Sequence, residues 1–547
     1  MAAALFYSFL VATFVTMVSI RPLIHVAERM HIVDLPADRK VHDVPVPRLG
    51  GLAMAVSAIL PLVMWARLDA QMGGFLCGIG VILLFGVWDD IRGLDYRLKF
   101  LGQITAVLIV VLYGGVVIRF VPLSGLEPLP DYVAIPFTVF ALIGITNAVN
   151  LADGLDGLAG GITLLSLGMI VILAYPTGDI NVPLAAIAVI GSIVGFLRFN
   201  TYPARIFMGD GGSQFLGFAA GVLVVMLTQT SNTALSPALT LMILGLPILD
   251  TGMVMAQRVR EGRSPFLPDK NHIHHRLLAL GLHHYEAVFV IYALQTLLVA
   301  AAYLLRYESD WLILASFALF CLALMGSLKA AAASTWRFHA HPDQTSTPVI
   351  PGWIQWLRKD QRILKMAFLF ALAAISSYFV LGSLLAERVP PDIGALACAL
   401  LIVLLVLYIW RRHRAFNMVE HGCVYIAGIL VVYLVQVAPG VLAGFTLYRN
   451  ILFAALVVAV AIGFRFSKER FRITPMDFLV VLVALVVPNV PDITIGEAQA
   501  GLAVAMLIIL YYSIELVLNN IGRRWDLMRL TTYLTLAILG VRGVMGN

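Results

Sequence analysis

Runs of roughly twenty mostly apolar residues recur about eighteen times along this chain, each long enough to cross the hydrocarbon layer of a membrane as a helix. Only 12% of the 547 residues are charged and 61% are hydrophobic, whereas soluble domains carry about 25% charged residues. A water-facing globule cannot hide so much apolar surface. The pattern predicts an all-α fold, a polytopic transmembrane helical bundle. About 11 helices fall within residues 1–328 and about seven within 366–547, with a polar, proline-bearing cytoplasmic linker at 329–365. The first run, from Ala3 to Ile20, has no basic leader and no clear small-residue cleavage site, and reads as a retained helix rather than a signal peptide.

The formal charge of +6 suggests nucleic acid in a soluble protein. In a membrane protein it more often records topology. With the loop after the first helix placed in the cytoplasm, only six of the 37 Lys and Arg fall on the opposite side: Arg67, Arg119, Arg306, Arg388, Arg449 and Arg542. That imbalance is what the positive-inside rule demands, and it puts the N-terminus outside. The four cysteines, Cys77, Cys321, Cys398 and Cys423, lie in or beside apolar runs with no C-x-x-C pair. They read as buried structural thiols rather than disulfides or a zinc site.

The unusual polar residues then collect on one side. Asp89 and Asp90 end the apolar stretch ILLFGVWDDIRG. Asn147, Asn150, Asp153 and Asp156 lie in NAVNLADGLDGL, and Asp210 lies in RIFMGDGGS. A single acid at a membrane edge is ordinary topology. Five, with two asparagines, on one face form a pattern of a site, and hard oxygen ligands of this kind suit Mg²⁺. Asp153 and Asp156 share a face if their segment is helical. Asp210, among glycines at a helix start, sits where free N–H groups suit an anion. His272, His274 and His275 open another helix, which Asn271 is placed to cap. Phosphate contact or acid–base work suits them better than zinc, since no cysteine is near. His283 and His284 read as merely solvated. Asp250 lies inside an apolar run, where an acid is either functional or bonded within its own bundle.

In order along residues 1–328, the stretches RKVHDVPVPRLGG, DDIRGLDYRLKF, NAVNLADGLDGL, RIFMGDGGS, PILDT and HIHHRLLALG resemble the polyprenyl-phosphate N-acetylhexosamine-1-phosphate transferases. This family includes the bacterial enzymes that start peptidoglycan lipid intermediates, O-antigen and teichoic acid linkage units. The resemblance implies a cytoplasmic cleft in the inner membrane of a bacterium, where a sugar 1-phosphate passes from a UDP-N-acetylhexosamine to undecaprenyl or another polyprenyl phosphate and UMP leaves. It implies Mg²⁺, with Mn²⁺ as the alternative. Asp210 would be a metal ligand, with Asp89 and Asp90 beside the metal and the phosphates and His272, His274 and His275 near the pyrophosphate. Lys40, His42, Asn147, Asn150, Asp153 and Asp156 would meet substrate, and Phe207 would stack on uracil. Arg97 and Lys99, with Lys40, carry charge that offsets the repulsion between two anionic substrates.

SPFLPDKNHIHHRLLALG is similar to the branch using UDP-GlcNAc and less like the phospho-MurNAc-pentapeptide transferases. The expected partners are thus the nucleotide sugar, the polyprenyl phosphate, membrane lipid and a second copy in a homodimer, with no nucleic acid. A lipid-linked sugar transporter is the rival from another class. It predicts charges near mid-membrane and repeated halves, whereas here the acids gather at one edge, only Asp250 lies deeper, and no convincing internal repeat is seen. Residues 366–547 exceed the usual family length and read as an accessory, partner-binding or fused membrane region.

Overall fold

The computed structural model describes residues 1–34, 45–123, 127–232, 234–264, 271–334, 362–409, 413–437, 443–466, 494–495, 498–520 and 525–545. Among them the protein is a polytopic all-α bundle. Fourteen helices are long and apolar enough to cross a membrane, one further pair is bent, and two apolar helices, Gly50–Trp65 and Ala505–Leu518, are shorter. Strands among the described residues amount to two short antiparallel pairs, one of them β1 (Val33–Asp34) on β2 (Val46–Pro47). The described residues fall into two compact units, one up to residue 334 and one from residue 362.

The first unit contains α1 (Ala2–Arg29), α2 (Gly50–Trp65), α3 (Ala70–Arg92), α4 (Tyr96–Leu108), α5 (Asp131–Ala152), α6 (Leu158–Ala174), α7 (Asn181–Asn200), α8 (Gly209–Met226), α9 (Thr240–Ile243), α10 (Gly245–Arg260), α11 (Ile273–Ala279), α12 (His284–Leu304) and α13 (Asp310–Ala333). Helix α8 is its axis, buried along its length and packed on α2, α3, α5, α6 and α7. Two glycines make that position possible. A Cβ on Gly86 of α3 would lie 2.2 Å from the Gly211 Cα, and one on Gly51 of α2 would lie 2.3 Å from the Gly212 Cα. Only hydrogen fits in those gaps, so the polar start of α8 is clamped between the end of α3 and the start of α2.

The apolar run containing Asp250 is broken. α9, extended by the preceding turn at Pro237–Leu239, meets α10 at 82°. Pro247 has no N–H to offer the Ile243 carbonyl one turn back. That carbonyl accepts instead from Ser166 Oγ at 2.6 Å and Gln295 Nε2 at 2.8 Å. The backbone bond lost at the break is thus replaced by side-chain donors, and the carbonyl stays satisfied.

The second unit contains α14 (Arg362–Leu385), α15 (Pro391–Ile409), α16 (His413–Val437), α17 (Ala443–Phe466), α18 (Ala500–Asn520) and α19 (Trp525–Met545). Gly394 of α15 and Gly543 of α19 meet backbone to backbone, with a Cβ on Gly394 only 2.6 Å from the Gly543 Cα. All four cysteines are free, but only Cys423 is buried; Cys77 is exposed and Cys321 and Cys398 are half-buried. This corrects the expectation of buried thiols. A thiol behaves as a small apolar group, so the lipid-facing side of a spanning helix suits it as well as a core does.

Candidate active site

Helix α3 stops at Gly93, whose φ of 63° and N–H bond to the Asp89 carbonyl at 2.7 Å turn the chain toward α4. Asp89 is buried, and its Oδ1 accepts the Leu94 N–H at 2.7 Å. Its Oδ2 lies 2.6 Å from Lys99 Nζ, which also reaches Asp210 Oδ2 at 2.7 Å. Asp90 turns elsewhere. It accepts the N–H of Asp210 at 3.0 Å and of Gly211 at 3.4 Å, the first free amides of α8. Each of the two adjacent acids thus has its own positive partner: an ammonium for Asp89 and a helix N-terminus for Asp90. The start of α8 does hold an anion, as its position predicts, but that anion is Asp90.

The stretches PVPRLGG and FMGDGG form one piece. The amides that open α2 donate into the second stretch, Gly50 to the Phe207 carbonyl at 3.0 Å and Gly51 to that of Met208 at 2.9 Å, while Phe207 N–H donates back to Pro47 at 2.7 Å. Gly209 bends between them with φ 71°, and a Cβ there would lie 2.4 Å from the Arg48 carbonyl oxygen. Phe207 is half-buried at this seam, and Arg48 forms an ion pair with Asp34. Lys40 and His42 lie outside the described residues. Arg97 is exposed, its guanidinium 5.7 Å from the centre of the Tyr96 ring.

The asparagines join helices. Asn147 Nδ2 donates to Gln103 Oε1 at 2.7 Å, Gln103 Nε2 donates to Gln214 Oε1 at 3.1 Å, and Asn150 Nδ2 donates to Ser213 Oγ at 2.7 Å. This ties α4, α5 and α8 beneath the acids. Gln103 and Gln214 were not singled out in the sequence. Their signal was available: a glutamine one turn after Lys99, and another one turn after Asp210, each entering an apolar helix.

Asp153 and Asp156 occupy the turn between α5 and α6, so the shared helical face does not form. Asp156 Oδ2 accepts the Ala204 N–H at 2.9 Å and holds the 201–206 loop. Asp153 is exposed in that turn. Desolvation by the protein around it, followed by the charges of Asp210, Asp156 and Asp90, pushes its carboxyl up to about 7. An acid raised this far favours folding below its unfolded pKa, and that contribution is lost as pH rises through 7. In metal-free protein, Asp153→Asn is therefore expected to melt above the parent at pH 8, with the gap closing toward pH 4. Melting curves across that range check it; a gap that does not vary with pH would contradict the assignment.

The histidine segment is anchored by Asp250. Asp250 Oδ1 accepts the Ile273 N–H at 2.7 Å, and its Oδ2 lies 2.8 Å from His272 Nδ1. The cap of α11 is thus Asp250, across the bundle, and not Asn271, whose carbonyl accepts from Arg276 Nε at 2.7 Å. A carboxylate at Nδ1 requires the N–H there and leaves Nε2 of the neutral imidazole as an acceptor. The His274 ring lies on Gly154, where a Cβ would stand 2.2 Å from Nε2. The centres of the His274 and His275 rings are 4.2 Å apart. Burial, aided by the charge of His275, pushes His274 down to about 3, so it stays neutral at working pH. His284 departs from the solvated reading: it is buried and stacked on Tyr202 at 4.6 Å. His283 does stay outside, at the cap of α12.

Carboxylates, a bridging lysine and imidazoles gathered where spanning helices end define a polytopic membrane protein with a candidate active site. The sequence model for glycosyl transferase family 4 matches residues 72–228, which span α3 to α8. A probable undecaprenyl-phosphate N-acetylglucosaminyl 1-phosphate transferase of Bacillus subtilis strain 168 is 36% identical over 318 residues, which are 57% of this chain and 88% of that protein. A decaprenyl-phosphate N-acetylglucosaminephosphotransferase of Mycobacterium leprae is 36% identical over 309 residues, 49% of this chain and 75% of that one. An undecaprenyl-phosphate alpha-N-acetylglucosaminyl 1-phosphate transferase of Escherichia coli K12 is 27% identical over 305 residues, 54% and 83%. The chain belongs to glycosyl transferase family 4.

Proposed function

We propose that this protein transfers N-acetylglucosamine 1-phosphate from UDP-N-acetylglucosamine to a polyprenyl phosphate. The observation that carries this reading is the coverage of the Bacillus subtilis relative, nearly nine-tenths of whose length is matched at 36% identity. An oxygen of the lipid phosphate attacks the phosphorus that bears the sugar; the bond from that phosphorus to the nucleotide breaks, and UMP leaves. One phosphoanhydride replaces another. A phosphate monoester has its second pKa near 6, so the acceptor arrives largely ionised and needs no strong base.

The donor set suits Mg²⁺, with Mn²⁺ as the alternative. The side chains on hand are carboxylates, and Asp210 keeps 45% of its side chain exposed. Among the described residues no three His, Cys, Asp or Glu side chains close on one point. That agrees with an ion that takes one or two carboxylates and fills its remaining positions with water and substrate phosphate. Asp210 would hold it, with Asp89 beside it; the ion would supply charge neutralisation at the phosphates. The other work falls to this chain's own groups. Asp90 fixes the start of α8 and so aims Asp210. Lys99 balances Asp89 and Asp210. His272, His274 and His275 present ring nitrogens at this end of the site, with the neutral His274 lying on Gly154 in the loop that carries Asp153. A covalent phospho-aspartate is disfavoured, because the oxygens of Asp89 and Asp90 are already engaged by protein donors.

The site faces the cytoplasm of a bacterium in this reading. UDP-sugars are cytosolic, and the imbalance of Lys and Arg between the two sides agrees. The test is purified protein with undecaprenyl phosphate, Mg²⁺ and a panel of UDP-sugars, scored for labelled lipid and UMP. Lipid-linked N-acetylglucosamine phosphate with stoichiometric UMP is expected. No lipid product from any donor would overturn the proposal.

A further inference from the structure

Within the described spanning segments of the second unit, Ile363–Leu385, Pro391–Ile409, Val419–Gln436, Phe445–Gly463 and Asp526–Met545, lie three arginines, and two are compensated. Arg529 forms a two-pronged ion pair with the fully buried Glu420, its Nη2 3.0 Å from Oε2. Arg542 donates to the closing carbonyls of α14, those of Ser383 at 2.9 Å, Leu384 at 2.8 Å and Ala386 at 2.7 Å. Arg449 has neither. It is 7% exposed, and among the described residues it has no carboxylate and no backbone carbonyl; its Nε and Nη2 reach only the Oδ1 of neighbouring Asn450, both at 3.2 Å.

A second group beside it is also unmatched. Tyr378 of α14 is fully buried, and among the described residues its hydroxyl has no hydrogen-bond partner. Its ring packs edge-on against Phe453, one turn beyond Arg449 on α17, with centres 5.1 Å apart. Ser377 Oγ and Tyr448 OH are 2.7 Å apart, which registers the two helices so that residue 378 faces residues 449 and 453. The guanidinium lies within electrostatic range of the Tyr378 hydroxyl. One seam therefore holds a buried cation and a buried hydroxyl, both lacking the acceptor each requires.

We propose that Arg449 and the Tyr378 hydroxyl form an anion site in the C-terminal unit that takes a phosphate group carried on a lipid. Guanidinium prefers phosphate, which it can meet with two parallel N–H bonds. The depth fits a lipid headgroup. Arg449 lies six residues into α17, roughly 9 Å from its start at 1.5 Å per residue, near the boundary between headgroups and hydrocarbon. Leu447 and Ile451, two residues to either side and so on the opposite face of α17, are 64% and 61% exposed, so this helix borders lipid while Arg449 faces the bundle. No residue of the family site in the first unit takes part.

The test uses the full chain in phosphate-free maltoside micelles, titrated separately with undecaprenyl phosphate, phosphatidylglycerol and inorganic phosphate and read by native mass spectrometry. The parent should bind one more phospholipid or lipid phosphate than Arg449→Gln does, or bind it at least about tenfold more tightly, as fits the loss of a charged hydrogen-bonding pair. Arg449→Lys should recover part of the loss, and Tyr378→Phe should weaken the same site by a smaller factor. Equal stoichiometry and affinity for both lipids in the parent and Arg449→Gln would overturn the proposal, as would inorganic phosphate alone using the site. If Arg449→Gln does not fold, Tyr378→Phe with undiminished lipid affinity would overturn it. Arg449→Gln alters no residue of the first unit, so the difference between the two proteins isolates this site from lipid held at the transferase cleft.

Discussion

Asp210→Asn is expected to lower turnover by a factor of about 10³, the scale on which losing one dedicated electrostatic group slows a charged transition state, with little change in melting temperature. The fold survives for local reasons. Asp90 grips the backbone N–H of residue 210, not its side chain. The asparagine Oδ1 still accepts from Lys99, which also keeps Asp89 at 2.6 Å. What disappears is the negative charge of a carboxylate that keeps 45% of its side chain exposed. The loss should appear mainly in kcat, with a smaller change in KM for polyprenyl phosphate, and raised Mg²⁺ should not restore it. Steady-state rates across a Mg²⁺ titration check this. If the variant retains Mg²⁺-dependent turnover near that of the parent, Asp210 is not a metal ligand.

The sequence makes the helices legible because a bilayer demands length, and an apolar run of sufficient length has few other uses. It also makes legible that acids and histidines gather at one end, since each lies where an apolar run stops. It does not reveal which acid faces which partner. Asp90 and Asp210 are 120 residues apart, and Lys99 and Asp210 are 111 apart. Those pairings depend on Gly86 meeting Gly211 and Gly51 meeting Gly212, and a glycine carries no mark of the helix it will touch. Asp250 shows the same limit. Within its run it reads equally as a functional acid or an internal bond. Only the 82° break ahead of it and the placement of α11 bring Ile273 and His272 onto its two oxygens. The turn at Asp153 and Asp156 was open in the sequence because glycine weakens helix and loop signals alike. The left-handed φ of 80° at Gly157 settles it, since no helix continues through such a residue.

Two carboxylates on different helices, Asp89 and Asp210, share one ammonium, and removing it gives the second large effect. Lys99→Met should inactivate the enzyme and also destabilise it, unlike Asp210→Asn. Asp89 is only 5% exposed at its side chain, so without Lys99 a nearly buried charge is left facing another negative charge. Breaking a fully buried pair by removing one partner costs about 3–5 kcal/mol. Lys99 keeps 30% exposure, so water replaces part of what is lost and about 2 kcal/mol is the expected scale here. Adding Asp89→Asn should return most of that stability, because the amide removes the stranded charge while its oxygen still accepts the Leu94 N–H that turns α3 into α4. Activity should not return with it, since the double variant has lost the cation beside Asp210. Melting and turnover for the two single variants and the double variant form a thermodynamic cycle. Additive losses of stability would mean that Lys99 and Asp89 do not act on each other. Recovery of turnover together with stability would mean that Lys99 serves the fold alone and takes no part in the charge balance of the cleft.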